Sequence, residues 1–268
     1  MWALRGLRNG VLTTRWPARP DACAAAGRGP ATVTGPRPDR AVELDRLCPT
    51  GAISSAGGSV RLDRGRCVQC GRCVTERPDV FGWADGPAAA SLSRSALIAG
   101  DVEEDPAALA ALRAGLRSRT AALRRSVHLR HVDAGSDGTE EWEILALLNP
   151  VYDVHRLGIF FTASPRHADI LLVTGAGADG MTEPLRRTYD AMPEPKIVIA
   201  VGTDAVSGGL LADSYAATGG IAGTVPVDVW VPGSPPAPFA ILYSLLLALD
   251  RLPAGMAREP APGTGRGR

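Results

Sequence analysis

The sequence predicts an α/β protein in which a doubly wound parallel-sheet domain is preceded by a small α+β module. Two observations carry this expectation. From Val127 onward, short apolar runs closed by glycine ("VHLRHVDAG", "DILLVTGAG", "KIVIAVG", "VPVDVWVPG") alternate with helical segments such as "TEEWEILALLN" and "TEPLRRTYDAM". Strand, turn, helix, strand in that order argues for a parallel sheet with helices on its faces. Ahead of them, "RCVQCGRCVTERPDV" (66–80) holds three cysteines at a strict three-residue step, a ligand arrangement rather than a disulfide framework.

The chain has 268 residues, 45% of them apolar, enough for one large core or two modest ones. Its 29 basic and 28 acidic side chains leave a net charge of +1 and give no reason to expect nucleic acid as a partner. An odd count of five cysteines suits a reducing compartment.

Taken in order, residues 1–37 read as a basic, extended N-terminal segment. "MWALRGLRNGVLTTRWPARP" carries Arg5, Arg8, Arg15 and Arg19 and no acid. It lacks the uninterrupted apolar stretch of ~7–15 residues that marks a secretory signal. "GRGPATVTGPRPDR" (27–40) is rich in Gly, Pro and Arg and is expected to be a poorly packed lead-in to the module at 38–95. "EEDPAALAALRAGLRSRTAALRRS" (103–126) opens with acids and a proline, repeats apolar residues at helical spacing and ends in arginines, which predicts a helical connector over 96–125. The sheet domain follows over 126–252, and the tail from 253 to 268 has nothing to bury and is expected to be disordered. The longest apolar run, "FAILYSLLLAL" (239–249), falls well short of the ~20 residues needed to cross a bilayer.

Three thiolates do not close a four-ligand site, so a fourth must come from elsewhere. A bacterial two-cluster ferredoxin repeats C-x2-C-x2-C-x3-C-P, and the fourth cysteine of each run ligates the other run's cluster. Residues 38–85 resemble such a ferredoxin: Cys67, Cys70 and Cys73 occupy the first three positions of the second run, and Cys48-Pro49 in "LCPTGAI" has the form of the fourth position of the first. Together they make one complete set for a [4Fe–4S] cluster. The same spacing projects the other set onto Pro38, Ala41, Leu44 and Arg77, none of them a ligand, so one cluster is expected and its neighbour is not. Soft thiolates suit iron, and a tight loop that includes Gly71 aims backbone N–H groups at the cluster's sulfides. The rival reading is a tetrahedral zinc site, which also takes four thiolates but usually draws them from two separated C-x2–4-C pairs. Cys23 has no partner at ligand spacing and reads as a small buried or idle thiol.

Between Ser126 and about Asp250, "HLRHVDAGS", "ASPRHADILLVTG", "LRRTYDAMPEPK", "AVGTDAVSGG" and "VPVDVWVPGSPP" resemble the small subunit of membrane-bound, energy-converting (group 4) nickel–iron hydrogenases and the related B subunit of respiratory complex I. The resemblance implies a flavodoxin-like domain that, in that family, holds a proximal [4Fe–4S] cluster. It also implies partners: a hydrogenase large subunit-like or complex I-like subunit, with membrane subunits reached indirectly. The family's paired cysteines after "DAGS" fall here on Asp137 and Glu140, the one in the "AVG" loop on Asp204, and the one in "PGCPP" on Ser234. Oxygen donors replace sulfur poorly around iron, so the proximal cluster is expected to be absent. The replacements suit helix N-termini, with Ser234 as an N-cap before Pro235 and Glu140 in a first turn. A hard cation such as Mg²⁺ or Ca²⁺ on Asp137, Glu140 and Asp204 is the sharper alternative.

His128 and His131 fall on opposite faces of one strand, "GAGADG" (175–180) reads as a glycine-rich turn, and Trp142 and Trp230 read as core or interface aromatics. Arg166 and His167 match a family loop near the proximal cluster. No catalytic residue is expected. The functional expectation is an electron-transfer iron–sulfur subunit, cytoplasmic and peripheral on the inner face of the plasma membrane; the alternative is a redox-silent structural subunit of such a complex.

Overall fold

The computed structural model describes residues 2–35, 44–56, 59–100, 105–123, 126–253 and 256. Two short helices open the chain, α1 (Trp2–Asn9) and α2 (Ala22–Ala26). Asp21 caps α2, its carboxylate accepting from the N–H groups of Cys23 (2.8 Å) and Ala24 (3.3 Å). There follow β1 (Arg28–Val33), β2 (Ile53–Ala56), β3 (Ser59–Asp63), α3 (Arg72–Glu76), β4 (Phe81–Asp85) and β5 (Ile98–Gly100). β1 pairs antiparallel with β4, and β2, β3 and β5 form an antiparallel sheet in that order.

β1 corrects one expectation. The segment read as poorly packed buries four of its six residues. Its Gly-Pro pair sits where the β1–β4 register shifts, between Arg28 and Ala31. Proline's missing N–H is tolerated at such a bulge. A Cβ on Gly29 would lie 2.5 Å from the Ala84 carbonyl oxygen, so glycine here serves close backbone approach rather than a loose turn. Residues 36–43 lie outside the described residues, and with them Pro38 and Ala41.

The connector is a helix, α4 (Pro106–Thr120), with Asp105 as N-cap, Pro106 at its first position and Arg117 and Arg119 in its last turn. It is more than a spacer, since Leu116 and Thr120 are buried. The second domain runs β6 (Val127–Asp133), α5 (Thr139–Ala146), β7 (Ile159–Phe161), β8 (Ile170–Thr174), α6 (Asp179–Asp190), β9 (Ile197–Val201), α7 (Thr203–Ser207), β10 (Val229–Val231) and α8 (Pro238–Ala248). Its five strands are all parallel, in the order β7-β6-β8-β9-β10. That is the flavodoxin-like order 2-1-3-4-5, whose switch point lies between β6 and β8.

Both faces of the sheet are covered, which is why its strands read as continuous apolar runs. Ile170 and Leu172 point into one core with Ile197, Ile199 and α8; Leu171 and Val173 point into the other with Val198, Leu185 and Val206. α8 is buried along its whole length. It is roofed on its outer side by α4 and α5, and by Trp16, whose ring meets Phe239 edge-on at 5.7 Å. Among the described residues no helix is long and apolar enough to cross a membrane. The tail is described only at 253 and 256, where Met256 packs against the α8 core; the rest of 253–268 lies outside the described residues.

Candidate metal centre

The third core is built around thiols. Ala31, Leu44, Ala52, Ile53, Val60, Leu62 and Phe81 pack with the buried Cys67 and Cys73 and the partly buried Cys48. Cys48 follows a 3-10 turn at Asp45–Leu47, Cys67 follows another at Arg64–Arg66, and Cys73 lies in α3. Between them the loop turns through left-handed backbone at Gln69 (φ +54°) and Gly71 (φ +77°). At Gly71 a Cβ would stand 3.2 Å from the Trp83 ring, so the residue meets both a backbone and a space requirement. This folding brings Cys48, Cys67, Cys70 and Cys73 to the wall of one cavity, lined otherwise by apolar side chains including Leu47, Ile53 and Leu62.

Backbone N–H groups point at two of the sulfurs, Ala52 N to Cys48 Sγ at 3.2 Å and Gln69 N to Cys67 Sγ at 3.4 Å. Thr50 Oγ1 lies 3.3 Å from Cys48 Sγ and donates to the Arg66 carbonyl at 2.6 Å, tying the two cysteine-bearing segments together. Burial pushes the Cys67 thiol up to about 12, and the thiols of Cys48, Cys73 and Cys70 add to the rise. Burial likewise raises Cys73. Such thiols ionise only beside a compensating cation, and the donor set, apolar walls and inward N–H groups fit an iron–sulfur cluster. Among the described residues no group of three or more His, Cys, Asp or Glu is drawn together closely enough to hold a metal ion.

Two positions of the projected second set are described. Leu44 is wholly buried in the core, and Arg77 forms a two-point ion pair with Asp79 (2.9 and 2.6 Å). Cys23 is exposed.

The crevice at the carboxyl ends of the sheet holds the other replaced positions. Asp137 lies in the β6–α5 turn and accepts from Thr139 N (3.0 Å) and Thr139 Oγ1 (2.6 Å), which hold its carboxyl below the usual range. Glu140, in the first turn of α5, is 0% exposed. Its Oε2 accepts from Thr139 Oγ1 at 3.1 Å, while its Oε1 has no hydrogen-bond partner and lies against Gly202. Burial pushes Glu140 up to about 7, with Asp204 and Asp137 adding to it. Asp204, in α7, is raised by burial and then by Asp137 and Glu141. The structure thus groups three of the four replacements as electrostatic neighbours. Ser234 is a correction: α8 is capped by Ala237 and begins at Pro238, so Ser234 lies upstream in the β10–α8 loop and caps nothing.

His131 is half-buried with Nε2 3.0 Å from Thr174 Oγ1 and 3.6 Å from Glu141, and His128 stands near Asp169 on the opposite face. Arg166 and His167 are exposed in a 3-10 turn. Gly175 and Gly177 take positive φ in the turn ahead of α6. Trp230 is core, whereas Trp142 is 73% exposed.

One contact had no sequence signal. Thr203 Oγ1 donates to the Cys67 carbonyl (3.0 Å) and accepts from Gly233 N (3.2 Å), joining the cysteine loop to the crevice. A bridge between Ser91 and Trp230 and the Arg94–Asp63 ion pair (2.7 Å) lie along the same seam.

Two family models match separate stretches of the chain. Residues 138–248 match the family model of the NADH ubiquinone oxidoreductase 20 Kd subunit. Residues 60–114 match a 4Fe-4S single cluster domain, a span that takes in Cys67, Cys70 and Cys73 and leaves Cys48 outside. The chain is 43% identical to formate hydrogenlyase subunit 7 of Escherichia coli over 144 residues, 54% of this chain and 55% of that one. It is 42% identical to the probable membrane-bound hydrogenase subunit mbhJ of Pyrococcus furiosus over 143 residues, 53% of this chain and 86% of that one. It thus spans about half the length of the first and most of the second. Among solved structures it is similar to a chain of the membrane-bound sulfane sulfur reductase, an archaeal respiratory membrane complex, at 29% identity and a TM-score of 0.44 over 52% of this chain and 77% of that one.

Proposed function

Because the chain belongs to the family of the NADH ubiquinone oxidoreductase 20 Kd subunit, we propose that it is an electron-transfer iron–sulfur subunit of a membrane-associated oxidoreductase complex, carrying one [4Fe–4S] cluster on Cys48, Cys67, Cys70 and Cys73. The observation that carries this is that all four cysteines line one small cavity, with Cys67, Cys73 and Cys48 packed in the surrounding apolar core and Cys70 exposed. The cluster, when bound, supplies one-electron exchange. The chain's own part is to hold it: four thiolates bind, the N–H groups of Ala52 and Gln69 stabilise negative charge on sulfur, and Leu47, Ile53 and Leu62 exclude water. In this reading 38–95 forms the cluster module, 96–125 the connector and 126–252 the domain that faces a hydrogenase large subunit-like or complex I-like partner. The assembly sits peripherally on the cytoplasmic face of the plasma membrane, with spanning subunits supplied by others.

A second reading, a redox-silent structural subunit, is favoured by one observation: oxygen side chains stand at all four replaced positions of the crevice, so the sheet domain offers no thiolate. Iron and sulfide analysis of anaerobically purified protein, with electron paramagnetic resonance after dithionite reduction, tests the cluster. About four irons per chain and one signal are expected, with both lost in Cys70→Ala and Cys48→Ala. Eight irons, or zinc without iron, would overturn the assignment.

A further inference from the structure

The N-terminal segment is anchored to the body of the molecule at Thr13, Thr14 and Trp16. Thr13 Oγ1 donates to the Pro150 carbonyl (2.9 Å), Thr14 N to that of Val151 (2.8 Å), and Trp16 is buried against Phe239. Upstream of this anchor the apolar side chains leave the body of the molecule: Leu4, Leu7, Val11 and Leu12 are 70, 80, 79 and 58% exposed. Leu4 and Leu7 lie one turn apart on α1 and share a face, with Arg8 beside Leu4. At the anchor, Leu148 and Val151 are 41 and 39% exposed and extend the apolar strip onto the second domain.

One exposed leucine is ordinary, but four large apolar side chains in nine residues mark a surface built to be covered. Charge decides what covers it. Arg5, Arg8, Arg15 and Arg19 are all exposed, and no acid precedes Asp21. A short amphipathic helix with basic flanks and no acid matches the interface of a negatively charged bilayer, where apolar side chains enter the acyl boundary and arginines stay among the headgroups.

We propose that residues 2–12 dock on an anionic lipid surface, with Leu4, Leu7, Val11 and Leu12 entering it and Arg5, Arg8, Arg15 and Arg19 meeting its phosphates. This gives the peripheral placement proposed above a named segment, and it does not rest on the cluster ligands. So short an anchor binds weakly by itself and serves to orient a complex held by other subunits.

The test is co-sedimentation of the full, iron-loaded chain with vesicles of phosphatidylcholine alone or of equal phosphatidylcholine and phosphatidylglycerol. Binding to the anionic vesicles is expected to exceed that to neutral ones by on the order of tenfold at about 50 mM salt and to fall by a similar factor at about 500 mM. The Leu4→Asp/Leu7→Asp variant is expected to drop to the neutral level with iron content and melting temperature unchanged. Failure of the parent to bind anionic vesicles, equal binding to both kinds, or undiminished binding by the double variant would each overturn the proposal. Iron measured on the same samples separates this from the cluster assignment, since a chain that binds lipid without iron sinks only the latter.

Discussion

At the scale of single residues, Glu140 is the most informative side chain. It stands where a cysteine is implied by family resemblance, wholly buried, with one oxygen unpaired. Burial lifts its folded pKa from 4.5 to about 7, so between those values the native state holds a proton that the unfolded chain has released. The stability contributed through Glu140 is therefore fully present below about pH 4.5 and is lost as pH rises through 7, by at most about 3 kcal/mol. Glu140→Gln is expected to leave stability near the parent's at pH 4 and to raise it at pH 8, read as urea midpoints; a variant no more stable than the parent at pH 8 would contradict this. Asp137, two hydrogen bonds from Thr139 lowering its pKa, has the opposite linkage and loses stability only in acid.

At the scale of elements, α4 shows how far local rules reach. Asp105 accepts from Ala107 N and Ala108 N, both at 3.0 Å, and Pro106 takes the first helical position. Asp105→Ala is expected to cost about 1 kcal/mol in urea denaturation and Asp105→Asn almost nothing, because the amide oxygen can still accept. The same rules mislead at Ser234. A Ser-Pro pair reads as a cap, yet Pro235 and Pro236 separate Ser234 from Ala237, the N-cap position of a helix that Pro238 begins. β1 misleads in the other direction: its Gly and Pro mark a bulge in a buried strand, and only the partner strand β4 reveals that.

At the scale of the whole molecule, the hydroxyl of Thr203 links the two modules. Thr203→Val would leave the buried Cys67 carbonyl and Gly233 N–H without their partner, at a cost of about 2 kcal/mol or more. It is expected to lower the urea midpoint and broaden the transition as the modules part, while Thr203→Ser stays near the parent; an unchanged midpoint would show that the seam is held elsewhere. The parallel sheet and α4 were legible in the sequence, and the four cysteines that the ligand spacing groups together line one cavity. Apolar runs, capping residues and ligand spacing are local patterns set by backbone geometry and thiolate chemistry. What only the tertiary structure decided were contacts between residues far apart in the chain: β1 on β4, α8 roofed by Trp16 and α4, and the cysteine loop tied to the sheet's crevice through Thr203. No local period encodes which distant surface a side chain meets, because that is settled when the whole chain packs and each buried polar group must find a partner.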